Sequence, residues 1–279
     1  MMMLGSQGQE KHTSLGSLFS RATLTSIMTM RVVLSLAFAS LAAGQSMRDF
    51  KVPTPAPENS VLVVGFLGGF EHWDDPHRGV RKVAMAIRSL QLPNVYVETI
   101  GNHRRKLALK LIGAATNSAG QYRGPRIILY GQSLGGSAVL STARDLQALG
   151  VRVELTVQVD SVGLRDALVP ANVLNAANLF EGDLFGIGGR KEIRAENPQS
   201  TRILENTRLT YLLRPFSTFN PDDLSWGRRK FGGSHAKMEA DEFVWAHVED
   251  LILHSIRGNL SNSLSASVEA HDSNVLSNR

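Results

Sequence analysis

The stretch Ile127-Ile-Leu-Tyr-Gly-Gln-Ser-Leu-Gly-Gly136 runs an apolar strand straight into Gly-x-Ser-x-Gly and then into a helix. A chain that turns from strand to helix within so few residues forces its central residue into a strained backbone conformation. Gly131 and Gly135 lack the Cβ atoms that would clash with that turn. Ser133 is thereby held out above the strand end, where a base can reach its hydroxyl. The backbone N–H groups that open the following helix point to the place where an oxyanion would form. The sharper reading is a serine nucleophile on a strand–helix elbow, and the plainer one is a glycine-rich turn whose serine caps the helix.

Outward from the elbow, short apolar runs alternate with helical periods. Val61-Leu-Val-Val64 ends in Gly65, and Val80, Val83, Ala84, Ile87 and Leu90 then recur at helical spacing. Asn94 and Gly101 bracket the strand Val95–Ile100, and Leu107, Leu111, Ile112 and Ala115 mark the next helix. After the elbow, Val139, Leu140, Ala143 and Leu146 face a core, Gly150 ends the helix, and Val151–Val159 is the next strand. Such alternation predicts an α/β fold with a mainly parallel central sheet and helices on both faces. Val173–Phe180 reads as a further strand. Residues 181–234 read mostly as loops with a short helix near 200–206, because Gly186, Gly188, Gly189 and Pro198 break any period. A last helix is expected from about Ala240 to Arg257, with Val244, Val248, Leu251, Ile252 and Ile256 on one face.

The ends read differently. Met30–Gly44 offers one positive charge, a short apolar core and then small residues, so residues 28–44 within an N-terminal extension, 1–44, read as a signal peptide and predict a secreted or periplasmic protein. Residues 45–60, with Pro53, Pro55 and Pro57, read as an extended linker into a domain at 61–257, and the Ser- and Asn-rich stretch 258–279 as a frayed tail. With no cysteine in 279 residues, disulfides, thiolate catalysis and cysteine metal sites are excluded. The net charge of +5 is spread over scattered residues. The runs Arg104–Lys106 and Arg228–Lys230 carry no interleaved aromatics, which argues against nucleic acid, although either offers a contact for an anionic membrane surface.

A serine hydroxyl is a poor nucleophile at neutral pH, so an imidazole must take its proton and a carboxylate must hold that imidazole in the right tautomer. His12 and His271 lie towards the ends, and His247 and His254 within the last helix. His235 follows Phe231-Gly-Gly-Ser234, read as a flexible loop before that helix, and is the candidate base. For the acid, Asp160 ends the strand that follows the elbow helix, with Glu181 and Asp183 as rivals after the next strand. Asp160 could equally be a turn residue bonding its own backbone. The second oxyanion donor is expected from the loop Gly65-Phe-Leu-Gly-Gly69, through the N–H of Phe66 or Leu67 paired with that of Leu134. No phosphate-loop pattern occurs, so no nucleotide is expected. Glu71–His77 packs carboxylates and imidazoles closely, but His72 and His77 do not match a helical ligand pair. No metal is expected there, and Trp73 reads as a wall of the substrate pocket.

With Gly65–Gly69, the Ser133 elbow, Asp160 and His235 in that order, the chain resembles the α/β-hydrolase superfamily, closest to compact serine esterases, lipases and thioesterases, over about residues 60–257. It lacks the His-Gly start of the commonest oxyanion loop, having Gly65-Phe66 instead, and an obvious large lid. The resemblance implies acyl transfer through a catalytic triad without a cofactor, on a small-molecule or lipid ester. A thioester or another acyl substrate, or a non-catalytic binding protein of the same fold, is the alternative.

Overall fold

The structure is a computed structural model, and it describes residues 44–69, 71–183, 192–224 and 233–258. The expected signal segment, the tail, Gly186–Gly189 and Arg228–Lys230 lie outside the described residues. Seven consecutive buried residues form β1 (Val61–Leu67), the pattern of a strand covered on both faces. Val61, Val63 and Leu67 face one core, while Leu62, Val64 and Phe66 face the other. Strands β2 (Val95–Gly101), β3 (Arg126–Gln132), β4 (Val153–Val159), β6 (Val173–Glu181) and β8 (Arg202–Leu209) complete a six-stranded sheet in the order β2-β1-β3-β4-β6-β8. All five pairings in it are parallel. The two-residue strands β5 (Leu168–Val169) and β7 (Arg194–Ala195) pair separately.

Helices α1 (Gly79–Ser89) and α5 (Glu242–Arg257) cover the face built on Val63, Tyr130 and Val157. Helices α2 (Arg105–Gly113) and α3 (Leu134–Ala148) cover the face built on Val64, Leu129 and Phe66. The fold is therefore α/β with helices on both faces of a parallel sheet. Chain order reverses at β1, which has β2 on one side and β3 on the other. The crevice outside the carboxyl ends at such a reversal is where open α/β sheets bind ligands, and the elbow leaves β3 at that place.

Three expectations need correction. The helix anticipated near 200–206 is instead β8, paired in parallel with β6 through Asn175↔Arg202 to Glu181↔Leu209, with a register shift at Ala176/Ala177. It forms one edge of the sheet, where Arg202, Glu205 and Arg208 are tolerated, and these charges hide the alternation that marks an inner strand. His235 lies in a short helix, α4 (Gly233–Glu239), rather than a loop. Seven residues are too few for a period to show.

The Pro-rich stretch is likewise no free linker. Glu98 on β2 accepts the N–H groups of Lys51 and Val52 at 2.6 and 3.0 Å and the Arg88 guanidinium at 2.9 Å. Gln45 Nε2 donates to the Thr99 carbonyl at 2.7 Å, and Val52 and Ala56 are buried with Leu62 and Phe66. Residues 45–56 are thus a strap over the edge strand β2. Burial pushes the Glu98 carboxyl above its ordinary value against the pull of Arg88 and the two amides.

At the other end, Asp241 caps α5 by accepting the Phe243 N–H at 3.1 Å, which is why the helix starts at Glu242 rather than Ala240. Gly258 closes it in the left-handed conformation at φ 75°. Among the described residues no helix is long and apolar enough to cross a membrane.

Candidate active site

Ser133 sits between β3 and α3 with φ 56° and ψ −124°, a sparsely populated conformation for a residue with a Cβ. The surroundings hold it there. Its N–H donates to the Val159 carbonyl at 3.0 Å, and its carbonyl accepts from Gly136 at 3.0 Å and Val162 at 3.1 Å. The elbow is therefore tied to the end of β4 as well as to its own helix. A Cβ on Gly135 would lie 2.0 Å from the Phe66 carbonyl oxygen and 2.9 Å from that of Leu67, and one on Gly131 would lie 2.6 Å from the Gly135 backbone. The two glycines let β1, β3 and α3 converge on the serine. Leu134, the first residue of α3, is 41 % exposed, and its N–H has no acceptor within the helix.

Asp160 continues the ladder one residue past β4, where its N–H donates to the Leu179 carbonyl at 2.8 Å with φ at 44°. Its side chain is fully buried. Oδ1 accepts the Glu181 N–H at 3.2 Å, and Oδ2 lies 2.5 Å from His235 Nδ1. An ionised carboxylate at Nδ1 places the imidazole proton there and leaves Nε2 as an acceptor. The Gln132 amide, from the residue just before Ser133, reaches that nitrogen at 3.2 Å. The structure thus brings Asp160, His235 and the elbow together at one sheet edge.

The rival acids are engaged elsewhere. Asp183 accepts the Tyr211 N–H at 3.0 Å and the Ser234 hydroxyl, which fixes the start of α4 beside His235. Glu181 Oε2 accepts the Asp183 N–H at 2.7 Å. Lys237 Nζ, bonded to the Tyr211 carbonyl at 3.0 Å, and buried Ala236 and Met238 anchor the rest of that helix.

Burial raises the Glu181 carboxyl above its ordinary value of 4.5, and the charges of Asp160 and Asp183 act in the same direction against the Asp183 amide and His235. The folded chain then binds this proton more tightly than the unfolded chain. The group's contribution to stability is fully present below the ordinary glutamate range and is lost as pH rises through the raised value. Relative to Glu181→Gln, the wild type should lose stability as pH climbs upward from about 4.5, measured by urea unfolding across that range. A difference that stays flat or grows with pH would contradict this.

Other expected residues are placed differently. Phe66 and Leu67 lie inside β1, paired with Ile100 and Gly101, so the loop expected at 65–69 begins only at Gly68. The carbonyl oxygens of both residues face Gly135. The Trp73 ring lies 5.8 Å from the Arg81 guanidinium, and its carbonyl accepts from Thr99 at 2.7 Å, contacts that set it against α1 and β2. In the Glu71–His77 stretch, His72 bonds Asp74, Glu71 accepts from Gly68, and Asp75 binds Arg78 and the His77 amide. Among the described residues no group of three or more His, Asp or Glu side chains is arranged to hold a metal ion. Sequence reasoning passed over Gln132 and Arg78. The first occupies the unconstrained x of Gly-x-Ser, and the second precedes a helix with nothing to distinguish it from a surface arginine.

No family model matches this chain, and no curated protein does. Among solved structures it is similar to Est1E from Butyrivibrio proteoclasticus, at 18% identity and a TM-score of 0.26 over 39% of this chain and 44% of that one. The match therefore spans less than half the length of that protein. It is also similar to an acetyl xylan esterase in two structures, at 11% identity over 73% of this chain and 99% of that one, with TM-scores of 0.30 and 0.31. At these scores the likenesses carry no weight for what this chain does.

Proposed function

We propose that the protein is a serine hydrolase of the α/β-hydrolase kind that cleaves carboxylic esters. The observation that carries this reading is the buried contact of Asp160 Oδ2 with His235 Nδ1 at 2.5 Å, at the edge where Ser133 is held in a strained elbow. Oriented by Asp160, His235 takes the Ser133 proton at Nε2 as Oγ attacks the ester carbonyl, then returns it to the departing alcohol. Water, activated by the same imidazole, releases the acid from the acyl-serine. The Leu134 N–H, at the positive end of α3, holds the oxyanion. Because Gln132 bonds Nε2 in the resting arrangement, it must give way as the serine proton is transferred. A signal peptide within residues 28–44 that directs the chain across a membrane belongs to the same proposal.

The test is a fluorophosphonate probe, whose phosphorus is attacked by an activated serine with loss of fluoride. Peptide mapping should find the adduct on Ser133, and His235→Ala should abolish it. Folded protein that stays unlabelled would overturn the catalytic reading in favour of a non-catalytic binding protein.

A further inference from the structure

Arg78, just ahead of α1, is only 8 % exposed. Its Nε donates to Asp75 Oδ2 at 2.9 Å and its Nη1 to Glu239 Oε1 at 3.3 Å, while Nη1 lies 4.0 Å from Glu71 Oε1. Two of these carboxylates lead to the candidate site. Glu71 Oε2 accepts the Gly68 N–H at 3.0 Å, and the Glu71 N–H donates back to the Gly68 carbonyl at 3.1 Å. Gly68 is the first residue past β1 and packs on the elbow. A Cβ there would lie 3.3 Å from that of Ser133 and 2.5 Å from Gln132 Oε1. Glu239 follows His235 by four residues on α4, so the two share one face of that helix. One guanidinium therefore joins the turn that lies over Ser133 to the helix that carries His235, with 161 residues of chain separating Arg78 from Glu239.

We propose that Arg78 is a positioning residue for the acyl transfer, a proposal that rests on the function given above. It touches neither Ser133 nor the imidazole. It acts by fixing the Gly68 turn against α4, so that the serine side and the histidine side of the site keep one spacing. An arginine suits this duty better than a lysine, because its planar fork meets several carboxylates in fixed directions whereas an ammonium is a single point of charge. Without it, the link that Arg78 makes between Glu71 and Glu239 is lost, and the Gly68 turn and α4 are no longer held to one spacing through it.

The experiment measures the rate of fluorophosphonate labelling at Ser133, together with kcat and KM on a 4-nitrophenyl ester, for wild type, Arg78→Lys, Arg78→Met and Glu239→Gln. Arg78→Met should lower the labelling rate and kcat about 10- to 100-fold, the usual cost of a small misplacement of reacting groups, with KM moving by less than about 3-fold. Arg78→Lys should fall between the two, and free guanidinium ion should restore part of the Arg78→Met rate. A purely structural role would give none of that rescue, and its losses would follow the fraction of protein unfolded. Labelling of Arg78→Met within about 3-fold of wild type, or losses that track unfolding alone, would overturn the proposal. Should Arg78→Met fail to fold, Glu239→Gln decides, because it removes the charge that Arg78 meets on α4: slower labelling supports the proposal and an unchanged rate overturns it. Wild type that is not labelled at Ser133 removes the function itself and this proposal with it. Wild type that is labelled, beside an equally reactive Arg78→Met, removes this proposal alone.

Discussion

Replacing Ser133 by alanine should lower ester turnover by about 10⁶-fold, the size of the loss when the nucleophile of a subtilisin-type protease is removed. The change deletes the atom that carries the acyl group and leaves the remaining groups to act on water. It should leave the fold intact. The elbow is held by backbone bonds to Val159, Gly136 and Val162, none of which involves the hydroxyl, and alanine meets the same strain at φ 56° as serine does. The measurement is kcat beside thermal unfolding of the same sample. Turnover within about tenfold of wild type, with the fold preserved, would show that the serine is architecture only.

Asp160→Asn should cost on the order of 10⁴-fold in kcat, by analogy with the matching change in a Ser-His-Asp protease. The amide has the shape of the carboxylate but the wrong chemistry. Its oxygen can still accept from the Glu181 N–H, the bond that Oδ1 makes now at 3.2 Å. Its NH₂ then faces His235 Nδ1, which must give up its own proton to accept. That proton moves to Nε2, and an imidazole already protonated there has no lone pair for the serine. The loss should appear in kcat, with the protein as stable to heat as the buried substitution allows. Near-full activity would pass the orienting role to Glu181 or Asp183.

The elbow was legible because its chemistry is local: glycines at fixed offsets around a serine, with an apolar run before and a helical period after. Asp160 was legible for a related reason, since a carboxylate one residue beyond an inner strand must emerge at the carboxyl edge of the sheet. His235 is legible from its place just ahead of the last helix, while the helical setting of the residue itself is not. Gly232-Gly233-Ser234 resembles a loop in isolation, whereas the residues that make α4 a helix, among them Asp183, Tyr211 and the buried Met238, act through tertiary contacts. β8 was missed because an edge strand needs apolar side chains on few of its positions. The strap at 45–56 was missed because its anchor, Glu98, is a carboxylate in a strand whose burial only the fold creates. Gln132 and Arg78 share that difficulty. Their roles depend on distant partners, and nothing in their near neighbours marks them.

The strap also bears on how copies of this chain can meet. A sheet that grows from molecule to molecule needs two bare rims on every copy, one to give and one to receive. Here the β2 rim is roofed by the chain's own residues 45–56, pinned through Glu98 and Gln45. At the opposite end of the six-stranded sheet lies β8, which carries Arg202, Glu205 and Arg208, so among the described residues the two rims are not equivalent. Growth of that sheet from copy to copy through β2 is thus blocked by a few residues of the chain's own sequence.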